Sequence, residues 1–174
     1  MDYEYTNKKY YIAAYGSLVS HKSFKKTLKD RKFRYIIVKG YKRIFNLLDM
    51  QGKDHSNLLN IKKNKNSNIN GVLFQVNETE LVKLKEREIE YDLEEVWTYD
   101  FKTGKKLIKC LIFIDHFIAL DKHNKKPKKP YFILCREAAY SVSKEFGEYW
   151  DNTTYNSNGK KIKNWLKENK EFEK

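Results

Sequence analysis

The sequence predicts an α+β fold in which a small mixed or antiparallel β-sheet closes into a barrel, with helices on its flanks. Two observations carry this. Short runs of apolar, β-prone residues follow one another with few helices between them, which suits a meandering sheet better than a doubly wound one. Two later segments switch to helical spacing of their apolar residues. No internal repeat or domain-scale linker interrupts the 174 residues, a length that fits one domain with a sizeable core.

The first element is Tyr10-Tyr11-Ile12-Ala13-Ala14-Tyr15-Gly16-Ser17-Leu18, an apolar run that reads as a buried strand and breaks at Gly16, where a tight turn is permitted. Ser20 to Leu28 then reads as a helix, with Ser20 as N-cap and Phe24 and Leu28 one turn apart. Phe33–Val38 is a strand, and Gly40–Leu48 follows it. The short strand Leu58-Leu59-Asn60-Ile61 lies between polar loops at 49–57 and 62–69, and Asn70–Val76 is a further strand. Glu78 to about Glu90 has helical spacing, with Leu81, Leu84 and then Ile89 toward the core. Residues 91–99 and 107–114 form a strand pair around the turn Lys102-Thr103-Gly104-Lys105. The loop 121–130, with Pro127 and Pro130, leads into a helix near 131–146 striped by Phe132, Leu134, Cys135, Ala138, Ala139 and Val142. A last short helix carries Ile162, Trp165 and Leu166. Phe45, Trp97, Trp150 and Trp165 are assigned to the core.

Composition excludes several classes. No stretch approaches the roughly 20 apolar residues of a membrane helix, and Met1-Asp2-Tyr3-Glu4-Tyr5 lacks the basic and apolar regions of a signal peptide. The only cysteines, Cys110 and Cys135, both lie in apolar segments and read as core thiols, so a cytoplasmic protein is expected. The net charge of +13 invites a nucleic-acid reading. Yet the lysines fall in small clusters (Lys62-Lys63, Lys105-Lys106, Lys125-Lys126, Lys128-Lys129, Lys160-Lys161) among asparagine-rich loops rather than on one face. Only nonspecific attraction to polyanions is expected. The stretch Glu78–Asp100 runs the other way, with nine acidic residues against three basic ones.

Two features point to chemistry. A strand that ends in a glycine turn against a helix start aims several backbone N–H groups at one place, which suits a carboxylate or phosphate. On its own such a Gly-Ser is usually just a connection. Its partner comes from a set of segments that resembles the gamma-glutamylcyclotransferase superfamily: Ala14-Tyr15-Gly16-Ser17-Leu18, Gly40-Tyr41-Lys42-Arg43-Ile44-Phe45-Asn46, Leu58–Ile61, Gly71–Phe74, Arg87-Glu88-Ile89-Glu90-Tyr91, and Asp151–Tyr155 through Trp165-Leu166. Their order and spacing cover nearly the whole chain.

The resemblance implies a small β-barrel with flanking helices, a Tyr-Gly-Ser turn that holds a gamma-glutamyl group through backbone amides, and one glutamate as base. Carried over, the substrate loop is Tyr15, Gly16, Ser17 and Leu18, the catalytic glutamate is Glu88, and Tyr131, just after Pro130, contacts substrate. Some branches have an asparagine between the serine and the leucine of the loop; here none stands there, which bears on subfamily and substrate. Without this pairing, Glu88 in Glu-Arg-Glu-Ile-Glu would be an ordinary solvated charge on a surface helix, and Tyr131 an ordinary packing residue.

The implied reaction makes modest demands. The α-amino group of a gamma-glutamyl unit attacks its own γ-carbonyl, and 5-oxoproline and a free amine leave. No metal, nucleotide or other cofactor is needed, and ring closure is intramolecular. The protein must anchor the α-carboxylate and shuttle one proton, a task for a single carboxyl. Neighbouring Glu86, Glu90, Glu94 and Glu95 are expected to raise the pKa of Glu88 by like-charge repulsion and to attract the substrate's cationic end. His21, His55, His116 and His123 show no metal-ligand spacing, and Gly16-Ser17 lacks the pattern of a nucleophile elbow. The partner expected is a small gamma-glutamyl substrate, for a monomer or homodimer. The alternatives are a non-catalytic module binding a small carboxylate on the same fold, and a basic nucleic-acid-associated protein.

Overall fold

The computed structural model describes residues 8–49, 56–89, 91–115 and 125–173. Its strands are β1 (Lys9–Ala14), β2 (Arg34–Leu48), β3 (Asn57–Asn77), β4 (Asp92–Asp100), β5 (Lys106–Ile114) and β6 (Thr154–Tyr155). Its helices are α1 (His21–Phe24), α2 (Glu78–Arg87), α3 (Lys129–Val142), α4 (Lys144–Thr153) and α5 (Ile162–Trp165). The six strands make one mixed sheet in the order β3-β1-β5-β4-β2-β6, and a further β3–β2 pairing closes the first five into a ring. The β1–β5 and β2–β6 contacts are parallel and the others antiparallel. This ring is what the sequence anticipated as a barrel.

Closure depends on two long strands. β2 and β3 pair from Arg34↔Leu73 to Leu48↔Asn57, while the far end of β3 pairs with β1 from Ala14↔Val72 to Lys9↔Asn77. Gly71 sits where the three strands crowd together. A Cβ there would meet the Ala14 carbonyl oxygen at 2.3 Å, so only glycine lets β3 run this close beneath the end of β1. Ile12, Ile36, Val38, Ile61, Ile69, Val72, Phe74 and Ile112 join the residues under α3 and α4 in one buried cluster that takes in both faces of the sheet, with Ile36, Val38 and Ile69 on one face and Val72 and Phe74 on the other. Phe45, Phe132, Trp150, Trp165 and Phe172 pack there edge to face, apart from the tilted Phe45–Phe132 pair. Among the described residues, no helix is long and apolar enough to cross a membrane.

Several local expectations are corrected. The segment 62–69 is extended chain within β3: Lys62, Lys63, Asn68 and Ile69 hold ladder positions opposite β2, and residues 64–67 bulge past the register shift at Lys39/Tyr41. Its lysines and asparagines face solvent, because the ladder is built by the backbone and needs no apolar side chains. The segments expected at 33–38 and 40–48 form a single strand, β2, from Arg34 to Leu48, with Phe33 just outside it. The helix expected near 131–146 is two, parted at Ser143, whose extended backbone ends α3 and whose hydroxyl accepts from the Phe146 amide at 3.1 Å to cap α4. The helix expected over 20–28 shrinks to α1, although Ser20 caps it as expected. Trp97 is 45% exposed, since Val96 and Thr98 take the inward positions of β4 and alternation turns Trp97 outward, under Lys106. Ile89 is exposed as well, because α2 stops at Arg87 and the chain leaves the helical stripe. Residues 50–55 and 121–124 of the loops at 49–57 and 121–130, together with Glu90, His55, His116 and His123, lie outside the described residues.

Candidate active site

The site begins where β1 runs out. Tyr15 is buried, and its hydroxyl donates to the Phe113 carbonyl of β5 at 2.8 Å, pinning the end of the strand. Residues Ser17–Val19 then form one 3-10 turn. Its hydrogen bonds are donated by Val19 to Gly16 and by Ser20 to Ser17, both at 3.1 Å. The N–H groups of Gly16, Ser17 and Leu18 precede the first of these bonds, and among the described residues they have no acceptor. Gly16 is there for space: a Cβ on it would lie 3.0 Å from the Tyr131 hydroxyl.

Glu88 is the residue that ends α2. An Asn77/Glu80 capping box starts this helix, and it buries Leu81 and Leu84. At its far end the Glu88 amide still donates to Leu84, and the Glu88 carbonyl accepts from Tyr91 at 2.9 Å. The turn brings the carboxyl inward, where its side chain is 19% exposed. Burial raises its pKa above the ordinary glutamate value, and Arg87 partly opposes this through its charge and a contact from Nε to Glu88 Oε1 of 3.3 Å. The cause anticipated from sequence was different. Glu86 is exposed, Glu94 accepts from Tyr41 and pairs with Lys63, and Glu95 pairs with Lys109, so none of these three is what shifts Glu88, and Glu90 lies outside the described residues.

Tyr131 stands in the first turn of α3, which starts at Lys129, rather than before the helix. Burial is the main cause that pushes its hydroxyl, like that of Tyr15, well above the usual tyrosine pKa, and the negative charge of Glu88 adds to the rise in both. Both hydroxyls therefore stay protonated at neutral pH. All six residues singled out in the sequence, Tyr15, Gly16, Ser17, Leu18, Glu88 and Tyr131, line one cleft, completed by Ala13, Ala14, Leu59, Tyr91 and Phe113. An adjoining recess shares Ser17, Glu88, Tyr91 and Tyr131 and continues past Asp49, Leu58 and Arg87.

Sequence reasoning assigned no role to three residues that build this place. Tyr91 donates to the Leu59 carbonyl at 2.7 Å and ties the segment after Glu88 to β3. Arg87 reaches from α2 across to the turn, with NH2 donating to Ser17 Oγ at 3.1 Å and Ser23 Oγ at 2.7 Å and NH1 to the Ser23 carbonyl at 2.9 Å and Thr27 Oγ1 at 3.0 Å. Arg43 of β2 lies beneath the turn and donates to the Tyr15 carbonyl at 3.3 Å. The signal for Arg87 was its place beside Glu88. For Arg43 it was a charged residue within a strand that otherwise alternates apolar residues inward. No group of three or more histidine, cysteine or acidic side chains among the described residues comes together as a metal site.

A ring of mixed strands, with an amide-lined turn and a half-buried carboxyl sharing one cleft, defines a gamma-glutamylcyclotransferase-like fold. The chain belongs to the ChaC-like protein family, which it matches over residues 10–155. Among solved structures, it resembles one titled gamma-glutamyl cyclotransferase (20% identity, 81% of this chain and 85% of that one, TM-score 0.66). An uncharacterized human protein is similar to the same degree (19% identity, 80% and 85%, TM-score 0.66). A yeast gamma-glutamyl cyclotransferase specific to glutathione follows (13% identity, 76% and 87%, TM-score 0.61). These likenesses are of fold. No curated protein matches the chain.

Proposed function

We propose that this protein is a gamma-glutamylcyclotransferase, cyclising a small gamma-glutamyl amine or peptide to 5-oxoproline with release of the amine. The observation that carries the reading is the pairing within one cleft of Glu88, a largely buried carboxyl with a raised pKa, and a turn whose Gly16, Ser17 and Leu18 amides lack acceptors among the described residues. Family membership and the titles of two similar structures support it.

In this reading the α-carboxylate rests on the turn amides, and the α-ammonium faces Glu88. The Glu88 carboxylate takes one proton from the ammonium, and the freed amine adds to the γ-carbonyl carbon, leaving an extra proton on the new ring nitrogen. As the C–N bond to the leaving group breaks, the Glu88 carboxylic acid gives its proton to the departing nitrogen. The carboxylate so re-formed relays the ring nitrogen's extra proton to the released amine, which leaves as an ammonium beside neutral-amide 5-oxoproline. A raised pKa suits a group that must both accept and return a proton near neutrality. Curling the substrate between turn and glutamate supplies the proximity that ring closure exploits. Tyr131, protonated and beside Gly16, is placed as a hydrogen-bond donor to substrate. The adjoining recess is the space available to the leaving amine.

The test is release of 5-oxoproline from a panel of gamma-glutamyl amines, dipeptides and glutathione, with Glu88→Gln as control. At least one member is expected to turn over, and the variant is expected to keep its fold and lose turnover. Turnover retained by Glu88→Gln sinks the assignment of the base. Binding without release by the wild-type chain moves the reading to a carboxylate-binding module.

A further inference from the structure

Among the described residues, Arg43 is the most deeply buried charged side chain. It has no solvent exposure, and removing a guanidinium from water is expensive unless an anion meets it. Here its hydrogen-bond partners are all neutral. Nε donates to Thr154 Oγ1 at 2.8 Å. NH1 donates to the carbonyls of Asn70 (2.7 Å) and Tyr15 (3.3 Å), and NH2 to Asn70 Oδ1 (2.7 Å) and Thr153 Oγ1 (3.4 Å). A guanidinium has five N–H groups, so every donor is used. Asn70 is itself fixed by a bond from Nδ2 to the Phe146 carbonyl at 2.9 Å, and the Trp150 ring lies 5.2 Å from the guanidinium carbon. Asp151, the carboxylate whose charge bears on it, is engaged by Arg136 at 2.9 and 2.8 Å and by Tyr140 at 2.7 Å. The group is thus fully hydrogen-bonded, while no carboxylate is hydrogen-bonded to it. Burial lowers its pKa to about 9, still above neutrality, so the charge persists.

An apolar side chain of similar volume would fill this space at less cost, so the charge calls for a role. The Tyr15 bond supplies one. A trans peptide holds its C=O and N–H pointing in opposite directions. With the Tyr15 carbonyl drawn to Arg43, the N–H of Gly16 points away from the guanidinium, and Gly16 lines the cleft. The cation polarises that same peptide unit, making its N–H a better donor. We propose that Arg43 is the positioning residue of the carboxylate cradle, fixing the first amide of the turn and setting a positive charge one peptide unit behind the bound α-carboxylate. The inference rests on the gamma-glutamyl reading of the cleft.

Ligand chemistry separates this role from a merely structural one. Calorimetry would compare two probes, a gamma-glutamyl amide with a free α-carboxylate and the same compound as its α-carboxamide. Each would be titrated into the full chain carrying Glu88→Gln, with Arg43 intact, as Arg43→Lys and as Arg43→Met. With Arg43 the carboxylate should bind at least about tenfold tighter. Arg43→Met should bring that ratio close to one, chiefly by weakening the carboxylate, and Arg43→Lys should retain part of it. A ratio near one with Arg43 intact, or an unchanged ratio in Arg43→Met, overturns the inference. Should Arg43→Met not fold, the ratio with Arg43 and its change in Arg43→Lys decide. A normal ratio in a chain whose Glu88 form releases no 5-oxoproline overturns the reaction and leaves the role of Arg43 standing.

Discussion

Replacing Arg87 by methionine removes a group that does two separable things. The first is structural. Arg87 makes four hydrogen bonds of 2.7 to 3.1 Å that tie α2 to Ser17, Ser23 and Thr27. Hydrogen bonds to a charged group contribute about 1.5–3 kcal/mol each, but the side chain is 20% exposed, so water replaces part of what is lost. A net destabilisation of about 3 kcal/mol is expected, which in a chain of this size lowers Tm by roughly 6–12 °C. The second role is electrostatic. At 3.3 Å from Glu88 Oε1, the guanidinium attracts the carboxylate by about 5 kcal/mol at an effective dielectric constant near 20 and by about 1 kcal/mol in bulk water. The half-buried pair lies between those limits.

That attraction favours the ionised form of Glu88, which burial disfavours. Removing it pushes the pKa further in the direction burial already drives it. The acidic limb of kcat/KM, where the base becomes ionised, should move to higher pH in Arg87→Met. Arg87→Lys keeps the charge and loses the fork, so its limb should stay near the wild-type position while kcat/KM falls with the loosened Ser17. The measurement is a pH–rate profile of 5-oxoproline release beside thermal melts of the three proteins. An acidic limb that stays put in Arg87→Met, or moves to lower pH, refutes the reasoning.

Two further outcomes follow from the same geometry. The folded-state pKa of Glu88 lies above its ordinary 4.5, so the stability this carboxyl contributes is fully present below that ordinary value and is lost as pH rises through the raised one. Glu88→Gln should match the wild type in urea melts near pH 4 and exceed it at pH 7.5; a variant less stable at pH 7.5 contradicts the assigned cause. Gly71→Ala would place a methyl group 2.3 Å from the Ala14 carbonyl oxygen and 3.6 Å from Tyr15 Cα. Because every atom it would meet is backbone of Ala14 and Tyr15, the cost is about 3 kcal/mol or more, read as a Tm loss of roughly 6 °C or more, and turnover should fall further as the turn is pushed off Glu88. A Tm within 2 °C of wild type (about 0.5–1 kcal/mol) would show that β3 can move away.

What was legible in the sequence was local. The Tyr15–Leu18 turn, the Ser20 cap and the inward positions Leu81 and Leu84 depend on neighbours a few residues away, and they stand where the sequence put them. The phase of an alternating strand is set by its partners. For that reason Trp97 faces solvent, although nothing in Val96-Trp97-Thr98 says which side is inside. Lys62–Ile69 was misjudged because composition reports on side chains, whereas β3 is held there by backbone pairing with β2. The break at Ser143 was hidden by an apolar stripe that continues into Phe146. Arg43 was out of reach for a deeper reason: its acceptors lie 27, 28, 110 and 111 positions away, so its meaning exists only once the sheet has closed.

The candidate site is an assembly of element ends. β1 stops at Ala14, α2 at Arg87, and α3 starts at Lys129, and at each end the cleft receives a group that a regular ladder would have occupied. Two arginines hold the turn from different sides, Arg43 through the Tyr15 carbonyl and Arg87 through the Ser17 hydroxyl. Glu88 is the one carboxylate among the described residues that line the cleft, and Glu80, Glu94, Glu95 and Asp100 of the acidic stretch 78–100 are turned to other partners. In the proposed reading, selectivity for an anion here does not rest on the net charge of +13, which surface lysines spread over the molecule and salt screens within about 10 Å. Under that reading it comes from two guanidinium groups, one buried and one 20% exposed, set about a single peptide turn.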